Sequence, residues 1–262
     1  MNILDFKNKK IKGEKITVLT CYDYTSARMI NKSNIDAILV GDSLAMTMYG
    51  EKSTIPATIS LMAQHTRAVV RGAPDKFIIA DMPFLSYRKS LSENMDAVLE
   101  LMQTGAHAIK LEGSLGNEQL VEHLVQSGVP VMGHLGLTPQ SINQLGGFKV
   151  QGRDSNHAQL ISDQCLNLEK SGCFSVVLEC VPSALAEKIS QKLKIPTIGI
   201  GAGPNTDGQV LVWQDLLGLN SDFKPKFVRK YLDGELLITS ALNNFAADVK
   251  SKNFPSIEES YE

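Results

Sequence analysis

Two charged residues interrupt an apolar run at residues 108–113, Ala-Ile-Lys-Leu-Glu-Gly. Side chains of a β-strand alternate between its two faces, so Lys110 and Glu112 share one face and the apolar residues share the other. A strand of a parallel sheet that is covered on both sides usually reads as a continuous apolar run. Because buried charges persist when they are paired or bind a metal ion, this strand predicts a functional site.

Three carboxylates are candidate ligands for a metal ion. Asp42, Asp81 and Glu112 stand at or near the ends of predicted strands, and no Cys or His with metal-ligand spacing accompanies them. Oxygen ligands alone select a hard cation, and Mg²⁺ keeps positions open for water or substrate oxygens. A 2-oxo acid could bind such a cation through its carboxylate and keto oxygens, and the cation would stabilise an enolate. The sequence therefore predicts Mg²⁺ as a cofactor.

Four further polar residues could serve the same chemistry. Lys110 could bind the substrate carboxylate or the enolate oxygen, or it could simply pair with a neighbouring carboxylate. Ser43 would donate a hydrogen bond to the substrate, and His134 is either a second donor or a structural histidine. Glu179 is the candidate base that removes a proton next to the carbonyl, and the alternative for it is a buried ion pair.

The chain alternates between β-branched apolar runs and segments with helical periodicity. Eight runs are predicted as strands: residues 16–20, 35–40, 77–80, 108–113, 129–132, 174–178, 196–200 and 209–213. Polar residues follow the ends of most of these strands, and in a (β/α)8 barrel those ends converge on one mouth. The pattern therefore favours a barrel over an open doubly wound sheet. A long loop at 44–58 is predicted to be functional, and a second long loop is predicted at 138–154. Asp23 is predicted to cap the helix that follows it.

Composition excludes several classes of protein. The chain has 262 residues, of which 43% are hydrophobic, and this suits a single barrel domain with a polar lead at 1–14 and a frayed tail at 251–262. A net charge of −2 argues against a nucleic-acid partner, and no apolar segment is long enough for a membrane span.

The four cysteines lack C-x-x-C spacing and are predicted to be reduced core residues. We expect a cytoplasmic protein.

Eight stretches of the chain closely resemble the ketopantoate hydroxymethyltransferase family. They are residues 40–44 (VGDSL), 71–74 (RGAP), 80–84 (ADMPF), 109–113 (IKLEG), 133–141 (GHLGLTPQS), 148–153 (FKVQGR), 178–182 (LECVP) and 198–203 (IGIGAG). They occur in the family's order and span nearly the whole chain.

The resemblance implies a (β/α)8 barrel of the phosphoenolpyruvate/pyruvate type and an enzyme of pantothenate biosynthesis. Such enzymes transfer a hydroxymethyl group from the co-substrate 5,10-methylenetetrahydrofolate to 3-methyl-2-oxobutanoate, and they typically assemble as homodecamers. The product is 2-dehydropantoate. The family's motifs assign the magnesium ligands to Asp42, Asp81 and Glu112. They assign the 2-oxo acid contacts to Asp42, Ser43, Asp81 and Lys110, the proton acceptor to Glu179, and a place in the substrate pocket to His134.

Two other classes stay open. A magnesium-dependent 2-oxo acid lyase or mutase would share the barrel and the carboxylates, but it would not depend on folate. A non-catalytic scaffold could keep the fold, but it has no reason to bury so many charged groups at one mouth.

Overall fold

The structure, a computed structural model, describes residues 1–220 and 225–261. The chain divides into two compact units, Met1–Leu211 and Val212–Glu262. The sequence predicts one domain over residues 1–262, and in the structure the barrel is complete within the first unit.

Eight parallel strands close into a barrel in sequential order, from β1 through β8 and back to β1. They are β1 (Ile16–Thr20), β2 (Ala37–Val40), β3 (Phe77–Asp81), β4 (Ala108–Glu112), β5 (Val131–Gly136), β6 (Ser175–Glu179), β7 (Thr197–Ile200) and β8 (Gly208–Leu211). This topology confirms the predicted (β/α)8 barrel and excludes the open doubly wound sheet.

The helices of the first unit lie between successive strands, apart from α1, which precedes β1. They are α1 (Ile3–Lys12), α2 (Tyr24–Asn31), α3 (Leu44–Tyr49), α4 (Ile59–Gly72), α5 (Leu91–Met102), α6 (Glu118–Gln126), α7 (Ile142–Leu145), α8 (Ser155–Lys170) and α9 (Ser183–Lys192). Asp23 caps α2, as predicted, because its carboxylate accepts a hydrogen bond of 2.9 Å from the Ser26 N–H.

The barrel interior is apolar in its lower layers. Alternate residues of each strand point inward, and those of the lower layers belong to one buried cluster that includes Phe77 and Ile79 of β3, Ala108 of β4 and Val177 of β6. The same two-residue period, continued along β3, β4 and β6, leads to charged residues at the carboxyl ends of the strands. The residues at every second position of these strands therefore form an apolar core that ends in charged side chains at the carboxyl end of the barrel.

The polar lead at 1–14 forms helix α1, which the sequence analysis does not predict. Asn2 and Asp5 form a capping box at its start, and Gly13 ends it in the left-handed region at a φ of 71°. Phe6 is fully buried, and its ring packs edge-to-face against Phe77 and Phe174, with centroids 5.4 and 5.2 Å apart. The helix thus closes the amino-terminal end of the barrel, which we call the floor.

Several predicted boundaries are wrong by a few residues. The predicted strand at 129–132 lies at Val131–Gly136 in the structure, so His134 is inside β5 and not in the turn after it. The loop at 44–58 begins with α3, and the loop at 138–154 contains a 3₁₀ turn at Pro139–Ser141 followed by α7. Short elements such as these lack enough turns to show a period in the sequence.

The second unit contains helices α10 (Trp213–Leu216) and α11 (Gly234–Lys250) and a 3₁₀ turn at Ile257–Glu259. Helix α10 takes up Trp213, which the sequence analysis assigns to the last strand. Most of the apolar residues of α11 are exposed. None of the helices in the described part of the chain combines the length and apolar character that a membrane span requires.

Candidate active site

Charged side chains from four neighbouring strands meet at the carboxyl end of the barrel, which we call the mouth. Strand register pairs Asp81 with Lys110, Glu112 with His134, and Gly136 with Glu179. Asp42 follows β2, and its backbone N–H donates a 3.0 Å hydrogen bond to Asp81 Oδ2. The structure therefore brings the predicted polar residues of β2 to β6 to one place.

The carboxylates of Asp42 and Asp81 are almost completely buried, at 4% and 2% exposed. Burial and the nearby charges of Asp81 and Glu112 raise the pKa of Asp42 well above its usual range. Burial also raises the pKa of Asp81, although Lys110 opposes that shift. Such crowding of like charge is unfavourable by itself, so the cluster implies a cationic partner.

Lys110 supplies part of the positive charge. Its Nζ lies 3.0 Å from Asp81 Oδ1 and 3.4 Å from His134 Nδ1. Burial acts to lower the pKa of Lys110, but Asp81, Glu112 and Asp42 outweigh it and raise the pKa above its usual range. Lys110 is therefore a fixed ammonium group at the mouth, which suits both the ion-pair role and the substrate role.

His134 lies between two carboxylates. Its Nδ1 is 3.3 Å from Glu112 Oε1, and its Nε2 is 3.2 Å from Glu179 Oε2. Burial and Lys110 lower the pKa of His134, but Glu112 and Glu179 outweigh them and raise it to about 9. The imidazole therefore lies between two carboxylates that favour its charged form, although Nε2 and Glu112 Oε1 form no hydrogen bond of good geometry within the described residues.

Glu179 is more accessible than the other charged residues of the cluster. Its side chain is 17% exposed, whereas those of Lys110, Asp81, Glu112 and His134 are 3–4% exposed. The next residue, Cys180, has a φ of 47°, in the left-handed region that non-glycine residues rarely adopt. The chain bends at Cys180, directly after the partly exposed Glu179 carboxylate.

The backbone around Glu179 is fixed by its neighbours. Its carbonyl accepts a 2.8 Å hydrogen bond from Leu137, and a Cβ on Gly136 would stand only 2.2 Å from that oxygen. Cys180 donates to Ile200 and accepts from Gln151, each over 2.8 Å. Gly136 is therefore required for the close approach of the two strands.

Two residues of the site are missed by the sequence analysis as functional candidates, Gln140 and Tyr87. The Gln140 side chain donates hydrogen bonds to Asp42 Oδ2 (2.8 Å) and to the Met82 carbonyl (2.9 Å). Its backbone N–H donates to Glu112 Oε2 over 3.1 Å, and the Tyr87 hydroxyl donates to Gln140 Oε1 over 2.6 Å. The Pro-Gln-Ser sequence of the family stretch at 133–141 was the available signal for Gln140.

Ser43 stands beside this cluster. Its hydroxyl forms a 2.8 Å hydrogen bond with the Tyr22 hydroxyl, which is a further neighbour that the sequence analysis misses. Burial raises the pKa of Tyr22 to about 12, so the phenol stays protonated and can donate to Ser43. When Tyr22 donates to Ser43, the hydrogen of the Ser43 hydroxyl can bind another acceptor.

The donor chemistry of the mouth fits a hard cation. Asp81 Oδ1 and Glu112 Oε1 are buried and accept no hydrogen bond from the described residues, although each lies near a basic group. Within residues 1–220 and 225–261, no three His, Cys, Asp or Glu side chains are arranged as a metal site, so Asp42, Asp81 and Glu112 match Mg²⁺ by ligand type and not by their arrangement. A cation here would take further oxygens from water or substrate, which is how Mg²⁺ is usually bound.

The cysteines take no visible part in this arrangement. All four are free; Cys21, Cys165 and Cys173 are buried, as predicted, while Cys180 is half-buried. Burial and the neighbouring Glu179 raise the pKa of the Cys180 thiol to about 11, which makes it a poor nucleophile at neutral pH.

Structural comparison finds the same fold in solved structures. The chain superposes on a phosphonopyruvate hydrolase in complex with oxalate and Mg²⁺ with a TM-score of 0.63 and 12% identity, covering 99% of this chain and 93% of the other. It superposes on 2,3-dimethylmalate lyase, a member of the PEP mutase/isocitrate lyase superfamily, with a TM-score of 0.61 and 13% identity. That alignment covers 99% of this chain and 91% of the lyase. At this identity the likeness shows a shared fold.

Sequence comparison is more specific. A 3-methyl-2-oxobutanoate hydroxymethyltransferase of Bdellovibrio bacteriovorus is 62% identical over 259 residues, covering 99% of this chain and 98% of the relative. An enzyme of the same name from Coxiella burnetii is 58% identical, covering 98% and 97%. The family model for ketopantoate hydroxymethyltransferase matches residues 1–257. The chain is therefore a member of the ketopantoate hydroxymethyltransferase family of enzymes.

Proposed function

We propose that this enzyme transfers a hydroxymethyl group from 5,10-methylenetetrahydrofolate to 3-methyl-2-oxobutanoate, forming 2-dehydropantoate for pantothenate biosynthesis. The names of the curated relatives support the acceptor and the transferred group. The observation that carries the proposal is the position of Glu179, an accessible carboxylate beside a buried cluster of three others. A base next to an anion-binding, cation-binding pocket is what enolisation of a 2-oxo acid requires.

Asp42, Asp81 and Glu112 are the residues that would hold Mg²⁺. Their oxygens match the ligand preference of this ion, and two of those oxygens lack hydrogen bonds from the described chain. When bound, the ion supplies Lewis-acid polarisation of the keto group of the substrate.

Lys110 and Ser43 would bind and orient the 2-oxo acid. The ammonium group of Lys110 is held in place by Asp81 over 3.0 Å, so it offers a fixed positive charge to a carboxylate or to a developing enolate oxygen. The hydroxyl of Ser43 is oriented by Tyr22 over 2.8 Å. Both groups are held by neighbouring side chains, which reduces the ordering that substrate binding requires.

Glu179 would accept the proton from C3 of the substrate, and the enolate carbon would form a C–C bond to the methylene carbon of the folate. The two C–N bonds to that carbon would break, one water would supply the hydroxyl oxygen, and tetrahydrofolate would leave. His134 contacts Glu179 over 3.2 Å and would hold its carboxylate towards the pocket. Contact of His134 with the substrate itself is also part of the proposal. The loops around the mouth would exclude water from the enolate.

We further propose that the chain works as a homo-oligomer, with a homodecamer as the expected form, in the cytoplasm. Helix α11 supports association, because Leu236, Leu237, Leu242 and Phe245 are each more than half exposed. Exposed apolar faces of this kind usually mark protein–protein contacts. Sedimentation of the purified chain at low and high salt would measure the assembly.

The test is product formation from defined components. The chain is incubated with 3-methyl-2-oxobutanoate, 5,10-methylenetetrahydrofolate and MgCl₂, and 2-dehydropantoate is measured by mass spectrometry. We expect product in the complete mixture, and none when folate is omitted or when a chelator is added. Turnover of 2-oxo acids by C–C or C–P cleavage without folate would instead support the lyase or mutase alternative.

A further inference from the structure

Gln140 is a buried residue of the long loop that connects β5 to α8. It lies in the 3₁₀ turn Pro139–Ser141 and is 4% exposed. The loop runs over residues 137–154, beside the mouth of the barrel. Buried amides in loops usually satisfy nearby backbone groups, so the contacts that Gln140 makes with two carboxylates require an explanation.

The side-chain amide of Gln140 forms three of the four hydrogen bonds that it can form. The Tyr87 hydroxyl donates to Oε1 over 2.6 Å, and Nε2 donates to Asp42 Oδ2 over 2.8 Å and to the Met82 carbonyl over 2.9 Å. Tyr87 is fixed in turn, because its oxygen accepts from the Glu112 N–H over 3.3 Å. These partners determine which end of the amide is oxygen and which is nitrogen.

The backbone of Gln140 binds a second carboxylate. Its N–H donates to Glu112 Oε2 over 3.1 Å, while Glu112 Oε1 accepts no hydrogen bond from the described residues. One loop residue therefore holds one oxygen of Asp42 and one of Glu112, which come from different strands. The remaining oxygen of Glu112 stays available to a cation.

We propose that Gln140 is a positioning residue that couples order in the 137–154 loop to binding of a divalent cation at the mouth. This inference rests on the proposed magnesium site of Asp42, Asp81 and Glu112. With its two contacts, Gln140 favours the carboxylate arrangement that binds the cation, and that arrangement favours the ordered loop. Because such coupling is reciprocal, a bound cation slows opening of the loop, and loss of the Gln140 contacts weakens cation binding.

A purely structural role of Gln140 would change stability and not cation affinity. If Gln140 only anchors the loop through Met82 and Tyr87, its replacement lowers stability but leaves cation affinity unchanged. Gln140→Met keeps much of the side-chain volume and the backbone N–H, and it removes the hydrogen bond to Asp42. Gln144→Ala is the matched control, because Gln144 lies in the same loop and is exposed.

The experiment measures two quantities on the full chain without substrates. Binding of Mn²⁺, which carboxylate sites accept in place of Mg²⁺, is measured by electron paramagnetic resonance of the free ion. Hydrogen exchange of the 137–154 backbone amides is measured with and without Mg²⁺. We expect a 10- to 100-fold loss of Mn²⁺ affinity in Gln140→Met, a magnitude usual for residues that orient metal ligands.

The loop should exchange more slowly with Mg²⁺ in the wild-type chain and in Gln144→Ala. Mg²⁺ should have a clearly smaller effect in Gln140→Met, which keeps the backbone contact with Glu112 and loses the contact with Asp42. Unchanged Mn²⁺ affinity in Gln140→Met would overturn the coupling and leave the metal site in place. So would an equal effect of Mg²⁺ on hydrogen exchange of the loop in Gln140→Met and in the wild-type chain. A wild-type chain that binds no Mn²⁺ would overturn the metal site, and the coupling with it.

Discussion

The floor and the mouth of the barrel are closed by different kinds of side chain. At the floor, the rings of Phe6, Phe77 and Phe174 pack edge-to-face with centroid distances of 5.2–5.9 Å. Ion pairs surround them, such as Lys10 with Asp207 over 2.7 Å. At the mouth, buried carboxylates crowd together, and several polar atoms have no hydrogen bond from the described residues.

The difference indicates that the floor of the barrel contributes mainly to stability, whereas the mouth is suited to binding a ligand. The floor satisfies its groups and buries apolar area, which stabilises the folded chain. The mouth keeps like charges close and leaves polar atoms unsatisfied, which lowers stability unless a ligand compensates. Substitutions at the floor should therefore change stability more than activity, and substitutions at the mouth should change ligand binding more than stability.

Phe6→Ala should destabilise the chain by about 3–5 kcal/mol, because it removes a fully buried ring from the floor. The rate constant kcat should stay close to the wild-type value at temperatures where the variant is folded. Urea unfolding and steady-state kinetics measure the two effects. Leu4→Ala is the control, since Leu4 is on the same helix and 65% exposed. A fall in kcat at unchanged stability would contradict this role of the floor.

Asp42→Asn should have the reverse signature. It removes one of three neighbouring carboxylates, so Mg²⁺ affinity should fall by about 100-fold or more on the scale of metal-site substitutions. The metal-free variant should be at least as stable as the wild-type chain, because repulsion at the mouth is relieved. Calorimetric titration and thermal unfolding measure these changes, with the exposed Asp96→Asn as control. Clear destabilisation of the metal-free variant would show that the mouth also supports the fold.

Asp36→Asn should have a small, pH-dependent effect at the floor. Burial raises the pKa of Asp36, but hydrogen bonds from Thr17 and the ion pair with Lys9 outweigh it and hold the pKa below its usual range. The folded state therefore binds fewer protons than the unfolded state near the ordinary carboxyl pKa, and stability rises with pH through that range. The wild-type chain should be more stable by about 1 kcal/mol at pH 7.

That advantage should disappear as the pH falls below about 3.9 and through the lower pKa of the folded state. Urea unfolding of both chains between pH 3 and pH 7 would measure it. If the difference in the free energy of unfolding between the two chains stays constant from pH 3 to pH 7, the charge of Asp36 does not contribute to stability.

Much of this architecture could be predicted from the sequence because successive side chains of a strand point to opposite faces of the sheet. Lys110 and Glu112 share a strand face by their spacing, and the structure places both inside the barrel mouth. Strand register then brings Asp81, His134 and Glu179 to the same end. These placements need only the two-residue period and the rule that parallel strands end at one mouth.

Other features depend on tertiary contacts, which leave no periodic pattern in the sequence. Gln140 reaches Asp42 and Glu112 only because the loop after β5 folds back over the mouth, and no local pattern reports that fold. Helix α1 is polar, and Phe6 is its one buried side chain, so an apolar stripe is absent. Its place at the floor is fixed by packing against Phe77 and Phe174, which lie far away in the sequence.

If Glu179 is the base of an enolising site, the enzyme should exchange the C3 proton of 3-methyl-2-oxobutanoate with solvent only when this carboxylate is present. Proton NMR would follow the C3 signal of 3-methyl-2-oxobutanoate in heavy water with Mg²⁺ and no folate, for the wild-type chain and for Glu179→Gln. The exposed Glu122→Gln is the control, and calorimetry would confirm that each variant binds the 2-oxo acid. We predict exchange in the wild-type chain and the control, and a loss of about 10²–10⁴-fold in Glu179→Gln at unchanged substrate affinity. Wild-type exchange rates in Glu179→Gln would contradict the account.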